Sequence, residues 1–354
     1  MFVFFACILF PLAAEEIDTN ITNDTETTDE QVGPSEMTEA PAPPFFIGWS
    51  PTLRLFGANI DLSIHLPVLA PQQYIHVRAG GAWETSQYHR NPDGSLFSSE
   101  NENDVALANY PQIDTIFRLG FVQGLHWNDE FEKADLDCFA LLSSKLILRY
   151  PDNDSLIVQS GYSDIDEVVL NSFMAGIRHD TVHPYRGGTE GDYAEFSVEY
   201  GPSWLANTFM GHGDFLRIHA RMINHRALPY EKLFWVNGLY ADQLFGGWSA
   251  DTRIPLHQRG FIGGWDPRDG LGGAVRGFRD NRFDANTKLV NAMDLRLLLP
   301  DIGDLPIQSW IILYWDTGYY RDLEDAPVDS NTTGWISSNG IGIALSLLDL
   351  ATVC

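Results

Sequence analysis

From Phe45 onward the chain alternates apolar and polar residues with a period of two, and that period restricts its fold more than any other feature. Successive side chains of a strand point to opposite faces, so each such run is a two-faced ribbon. In 192–205, Phe196, Val198, Tyr200 and Trp204 share one face, while Glu195, Ser197 and Glu199 share the other. In 214–223, Leu216, Ile218, Ala220 and Met222 oppose Arg217, His219 and Arg221. The same separation recurs at 59–65, where Ile60, Leu62 and Ile64 alternate with Asn59, Asp61, Ser63 and His65. At 116–121, Phe117, Leu119 and Phe121 flank Arg118 and Gly120. Neighbouring strands thus set an acidic face against a basic one. About twelve to fourteen runs of this kind are recognisable, many of the ~9 to 11 residues that a tilted membrane strand needs. Period alone fits a soluble sheet with its apolar face inward or a barrel with that face outward.

Beyond a short N-terminal stretch, no segment approaches the ~18 to 20 consecutive apolar residues of a spanning helix, so an integral protein with this sequence has to cross by strands. A mean hydropathy of -0.14 suits ribbons that are apolar on every second residue only. Residues 1–14 (MFVFFACILFPLAA) end in small residues before Glu15, as a secretory signal cleaved after Ala14 does, although no Lys or Arg precedes the apolar core. Cys7 lies too early for a lipid attachment site. Residues 15–44 hold nine acids, no bases and the run Pro41-Ala42-Pro43-Pro44, a composition that cannot bury enough apolar area to order itself, and they read as an acidic disordered linker. Residues 45–354, which carry the alternating runs, are the segment expected to form the outer-membrane barrel if the chain spans a membrane. After cleavage Cys138 and Cys354 remain, far apart, and neither a disulfide framework nor a Cys-x-x-Cys metal site is expected. The net charge of -26 argues against nucleic acid as a partner and, for an open pore, favours cations.

Connections rich in Asn, Asp and Gly at 86–110 and 322–334 read as the longer, extracellular loops. Tyr150, Trp204, Trp235, Tyr240, Trp248, Trp310, Tyr319 and Trp335 lie near strand ends, where interfacial girdles form.

Two segments carry the sharpest chemistry. Residues 272–278 read Gly-Gly-Ala-Val-Arg-Gly-Phe, and Tyr314-Trp315-Asp316-Thr317-Gly318 sits in an alternating run. An arginine on a glycine-flanked loop can enter a confined interior and pair bidentately with a carboxylate of a facing strand. The combination resembles the VRGF loop and the Asp-x-Gly strand of the BamA/TamA superfamily, the bacterial surface antigen barrels. The resemblance extends in order over about 177–349: Ile177-Arg178-His179-Asp180 with Pro184-Tyr185-Arg186-Gly187-Gly188, then Val290 to Arg296, then Gly340-Ile341-Gly342-Ile343-Ala344-Leu345. It implies an all-β transmembrane antiparallel barrel of about twelve to sixteen strands with an inward-folded loop. The loop residues are then Val275, Arg276, Gly277 and Phe278, and Asp316 and Asp294 are the acidic partners of Arg276. Tyr314, Gly318 and Tyr320 would face inward with Asp316, as would Gly340, Gly342, Ala344 and Ser346 in the last strand. Leu313, Trp315, Ile341 and Ile343 would face lipid.

Two departures from the family stand out. Residues 15–44 are too few for a polypeptide-transport-associated (POTRA) domain, and Ala351-Thr352-Val353-Cys354 lacks the terminal aromatic of relatives, which favours a truncated gene model. The resemblance implies a bacterial outer-membrane protein that assists insertion or translocation of proteins there. Its partners would be outer-membrane lipid, unfolded outer-membrane clients and a periplasmic accessory protein. The alternative is a passive channel or surface antigen without assembly activity, and a third reading is a secreted soluble β protein. Gly-x-Ser-x-Gly, His-Glu-x-x-His, Walker and EF-hand patterns are absent, so neither enzyme activity, metal nor cofactor is expected.

Overall fold

The computed structural model describes residues 47–54, 57–66, 72–93, 95, 97, 106–131, 133–161, 169–207, 213–230, 232–248, 254–255, 258, 260–262, 275–276, 278, 283–300, 307–321, 333–347 and 351–353. The expected signal segment 1–14, the linker 15–44, Gly277 and Cys354 lie outside these residues. The strands run β1 Ile47–Arg54, β2 Gly57–His65, β3 Gln73–Gln87, β4 Asn109–Asn128, β5 Lys133–Arg149, β6 Val169–Asp180, β7 His183–Tyr185 and β8 Gly188–Gly201. They continue as β9 Phe215–Ala227, β10 Leu233–Gly246, β11 Gly260–Ile262, β12 Phe283–Ala285, β13 Thr287–Leu298, β14 Ile307–Arg321, β15 Thr333–Leu347 and β16 Ala351–Val353.

One 14-stranded sheet takes them in the order β1-β2-β3-β4-β5-β6-β8-β9-β10-β13-β14-β15-β16, with β7 added beside β8. Every long strand pairs antiparallel with its neighbour in sequence, as in β8 with β9 and β13 with β14. The exception is an excursion between β10 and β13, where β11 and β12 form a separate pair. Among the described residues no ladder joins β1 to β15 or β16. No described helix is long and apolar enough to cross a membrane.

The side chains decide between the two senses of the alternation. On the outside, Ile341 is 69 % and Ile343 64 % exposed, whereas on the opposite face Asp316 is 0 % and Arg217 4 % exposed. The rest of the wall repeats this pattern. Ile60, Phe117, Leu119, Phe121, Phe196, Val198, Met222, Leu313 and Trp315 are exposed, while Ser197, His219, Asp242, Lys288 and Asp294 are buried. A water-soluble sheet of this composition would leave a broad apolar surface wet and desolvate its charges, the reverse of what burial energetics favours. Hydrocarbon outside and a polar interior remove both costs.

The sheet curls around that interior. Arg178 on β6 donates from Nη2 to Tyr74 Oη on β3 at 3.2 Å, bridging across β4 and β5 on the concave side. The register pairs the acidic and basic inner faces directly: Glu195 stands opposite Arg221 and Glu199 opposite Arg217. Both pairs close at 3.2 Å.

Two expectations are corrected at strand ends. β8 stops at Gly201, and Trp204 belongs to a single π-helical turn, Ser203–Asn207, rather than to the 192–205 strand. Tyr240 and Trp310 are not girdle residues. Tyr240 packs against an interior apolar cluster, and Trp310 lies 5.6 Å from the ring of buried Phe234. Six other aromatics do gather near the loop-bearing end of the outer face. They pair as Trp83 with Tyr150, Tyr200 with Trp248 and Tyr319 with Trp335, at centroid separations of 5.5, 6.5 and 4.9 Å. Between β7 and β8, Arg186 (φ 50) and Gly187 (φ 82) form a two-residue turn closed by Tyr185 opposite Gly188. Positive φ at both central positions matches the right-handed strand twist and explains the glycine at the second of them.

Candidate functional site

Asp294 lies directly opposite Tyr314 across the β13–β14 ladder, and Asp316 lies two residues further along β14. Period two therefore places all three side chains on one patch of the interior wall. Arg276, from the excursion between β10 and β13, reaches this patch. Its Nε donates to Asp316 Oδ2 at 2.7 Å and its Nη2 to Asp316 Oδ1 at 2.6 Å, a bidentate fork. The backbone N–H of Arg276 donates to the same Oδ2 at 2.9 Å, so the carboxylate holds the loop by main chain and side chain together. Nη2 also lies 2.6 Å from Asp294 Oδ1, in an ionic contact off the hydrogen-bonding direction. The guanidinium carbon sits 4.1 Å from the centroid of the Tyr314 ring, within cation–π range.

Asp294 has a second cation. Arg296, two residues on and on the same face, donates Nε and Nη2 to Asp294 Oδ2 at 3.1 and 2.7 Å. Asp316 has only the loop among the contacts resolved, and its side chain is fully buried. The two acids are thus unequal partners: Asp316 depends on Arg276, whereas Asp294 is shared.

Beside this polar clamp lies an apolar one. Val275 is completely buried with Phe283, Ala285, Val290 and Tyr320, and Tyr240, Phe278 and Ile336 pack around them. Phe283 stacks on Tyr320 at 4.7 Å and meets Phe278 edge-on at 5.6 Å. Gly318 makes room for it. A Cβ there would lie 3.0 Å from Val275 Cγ2 and 3.1 Å from Ile336 Cγ1, closer than such atoms ordinarily approach. The Asp-x-Gly spacing acquires a physical meaning: on one face of β14, Asp316 binds the arginine and Gly318 leaves space for the valine before it.

The structure therefore brings together Val275, Arg276, Phe278, Asp294 and Asp316, while Gly277 lies outside the described residues. Sequence reasoning did not assign parts to Arg296, Phe283 or the Tyr314 ring under the guanidinium. The signal for Tyr314 and Arg296 was their even spacing from Asp316 and Asp294. Phe283 had no such signal, because its contacts come through the excursion's own path.

No family model and no curated protein sequence matches the chain. Among solved structures, CdiB from Escherichia coli superposes with a TM-score of 0.53 at 16% identity, covering 82% of this chain and 47% of that one. BamA from Haemophilus ducreyi lacking POTRA domains 1-3 superposes with a TM-score of 0.51 at 12% identity, covering 84% of this chain and 57% of that one. This chain has the barrel fold of CdiB and BamA. It spans about half the length of those two structures. Within that shared fold, Val275, Arg276 and Phe278 of the excursion lie on the inner side of the sheet, against β13 and β14.

Proposed function

We propose that this chain is a bacterial outer-membrane barrel of the BamA-like type that assists insertion or translocation of proteins at that membrane. The observation that carries the reading is the docked excursion, with Arg276 clamped on Asp316 and Asp294 inside an inverted wall. Such a brace fixes β13 and β14 to a loop rather than to a packed core. The wall then keeps its shape while strands elsewhere exchange partners. The edge of a sheet carries unpaired backbone N–H and C=O groups, and an incoming client strand can add to it by main-chain pairing. On this reading the chain works by templating and by contact with outer-membrane lipid, not as an enzyme. Unfolded outer-membrane proteins are its clients, and a periplasmic accessory protein delivers them.

The test is reconstitution of the folded chain into liposomes presented with an unfolded outer-membrane barrel client, with client folding followed by heat-modifiable gel mobility. The expected result is faster client folding than in empty liposomes, with a reduced rate for Arg276→Ala. Client folding no faster than in empty liposomes, together with ion conductance by the same preparation, would instead establish the passive channel.

A further inference from the structure

Inside the curl, between β3 and β9, lies a cavity of about 290 Å³, just below the ~300 to 1,000 Å³ typical of small-molecule sites and large enough for a small ion. Its charge is opposite to that of the chain. Arg118, Lys145, Arg178, Arg217 and Arg221 line it, against only two carboxylates, Glu195 and Glu199. Both acids are already engaged: Glu195 accepts from Tyr193 Oη and Arg221, and Glu199 accepts from Arg217 and from Ser172 Oγ at 2.5 Å. Arg178 is held from behind by Asp137 at 2.7 Å.

Arg118 differs from the rest. It stands directly across the β3–β4 ladder from Arg78, a like-charge pairing that costs stability unless something offsets it. The nearby acid, Asp61, is taken by Arg78 at 2.6 and 3.1 Å and by His76 at 3.1 Å. Arg118 forms no ion pair with any described residue. A guanidinium facing a confined cationic space beside a second guanidinium is poised for a ligand that brings its own negative oxygens.

We propose that this cavity is a binding site for a small oxyanion of the phosphate or carboxylate class, with Arg118 as the group that meets it. The interior of the barrel then selects anions, opposite to the cation preference that the net charge of -26 suggests. This inference stands apart from the assembly function, since it concerns β3 to β9 and not the docked excursion.

The experiment is calorimetric titration of inorganic phosphate into the full chain folded in neutral detergent, against chloride at matched ionic strength. The wild type is expected to show saturable one-to-one binding. Arg118→Gln should weaken it roughly tenfold or more, as the loss of a charge-assisted hydrogen bond implies. Arg186→Gln, at an exposed turn outside the cavity, should leave it unchanged. Because Arg118→Gln relieves the repulsion with Arg78, its melting temperature without phosphate should equal or exceed that of the wild type, which separates lost binding from lost folding. Absence of saturable binding in the wild type overturns the proposal. So does equal affinity in Arg118→Gln, or an equal loss in Arg186→Gln.

Discussion

Replacing Arg276 by alanine removes two hydrogen bonds to Asp316, the ionic contact with Asp294 and the cation–π contact with Tyr314, and leaves the residue 276 N–H bond to Asp316 in place. The consequence is uneven. Asp294 keeps Arg296, but Asp316, fully buried, is left with one backbone donor for a full negative charge. Leaving a buried charge uncompensated costs about 3 to 5 kcal/mol. The Arg276 side chain is 14% exposed, so water can reach part of the gap and the lower end of that range is the expected value. At a few degrees per kcal/mol, that corresponds to a fall on the order of 10 °C in the unfolding midpoint. The assay is heat-dependent loss of the compact, fast-migrating band on a semi-native gel, scored for the wild type, Arg276→Ala, Asp316→Ala and the double variant. If the clamp is real, the double variant is less destabilised than the sum of the singles, because removing the acid as well removes the orphaned charge. An unchanged midpoint in Arg276→Ala, or strict additivity in the cycle, refutes the reasoning.

Other outcomes follow from the same geometry. Asp316→Asn should lower the midpoint more than Asp294→Asn, since Asp316 receives three bonds from the loop and Asp294 is shared with Arg296; the same gel ranks them. Gly318→Ala should cost about 1 to 3 kcal/mol by overpacking against Val275 and should raise protease cleavage of the excursion, and adding Val275→Ala should restore protection. Ile341→Lys should cost about 2 to 4 kcal/mol if that position lies near the bilayer midplane, read from reversible urea unfolding in liposomes, whereas a charge on a water-facing strand would be nearly neutral.

The alternation itself was plain in the sequence, because Arg217, His219 and Arg221 can share a face only in a strand. Its sense was not, since period two is the same whether apolar side chains point in or out. Deciding it required the closed-in environment of residues such as Asp316 and Lys288, which only the curled sheet supplies. The partnership of Arg276 with Asp316 joins residues 40 apart, beyond the reach of any local pattern; only the resemblance to a known loop and strand suggested it. Tyr240 and Trp310 were misplaced for a related reason. An aromatic near a strand end is interfacial or interior according to its parity with its neighbours, and both share the parity of the buried side. The cationic cavity was hidden by averaging: of the 48 acids that dominate the net charge, only Glu195 and Glu199 line it among the described residues.

The central claim is that this wall is inverted, with charges inside and apolar side chains against lipid. It is tested most directly by spin labels placed singly at 341, 342, 343 and 344 in a cysteine-free background reconstituted in bilayers. Collision with oxygen dissolved in lipid should be high at 341 and 343 and low at 342 and 344, and collision with a water-soluble nickel chelate should be higher at 342 than at 341 or 343, with buried Ala344 shielded from both. A reversed alternation, or equal access of the chelate to all four positions, would contradict it.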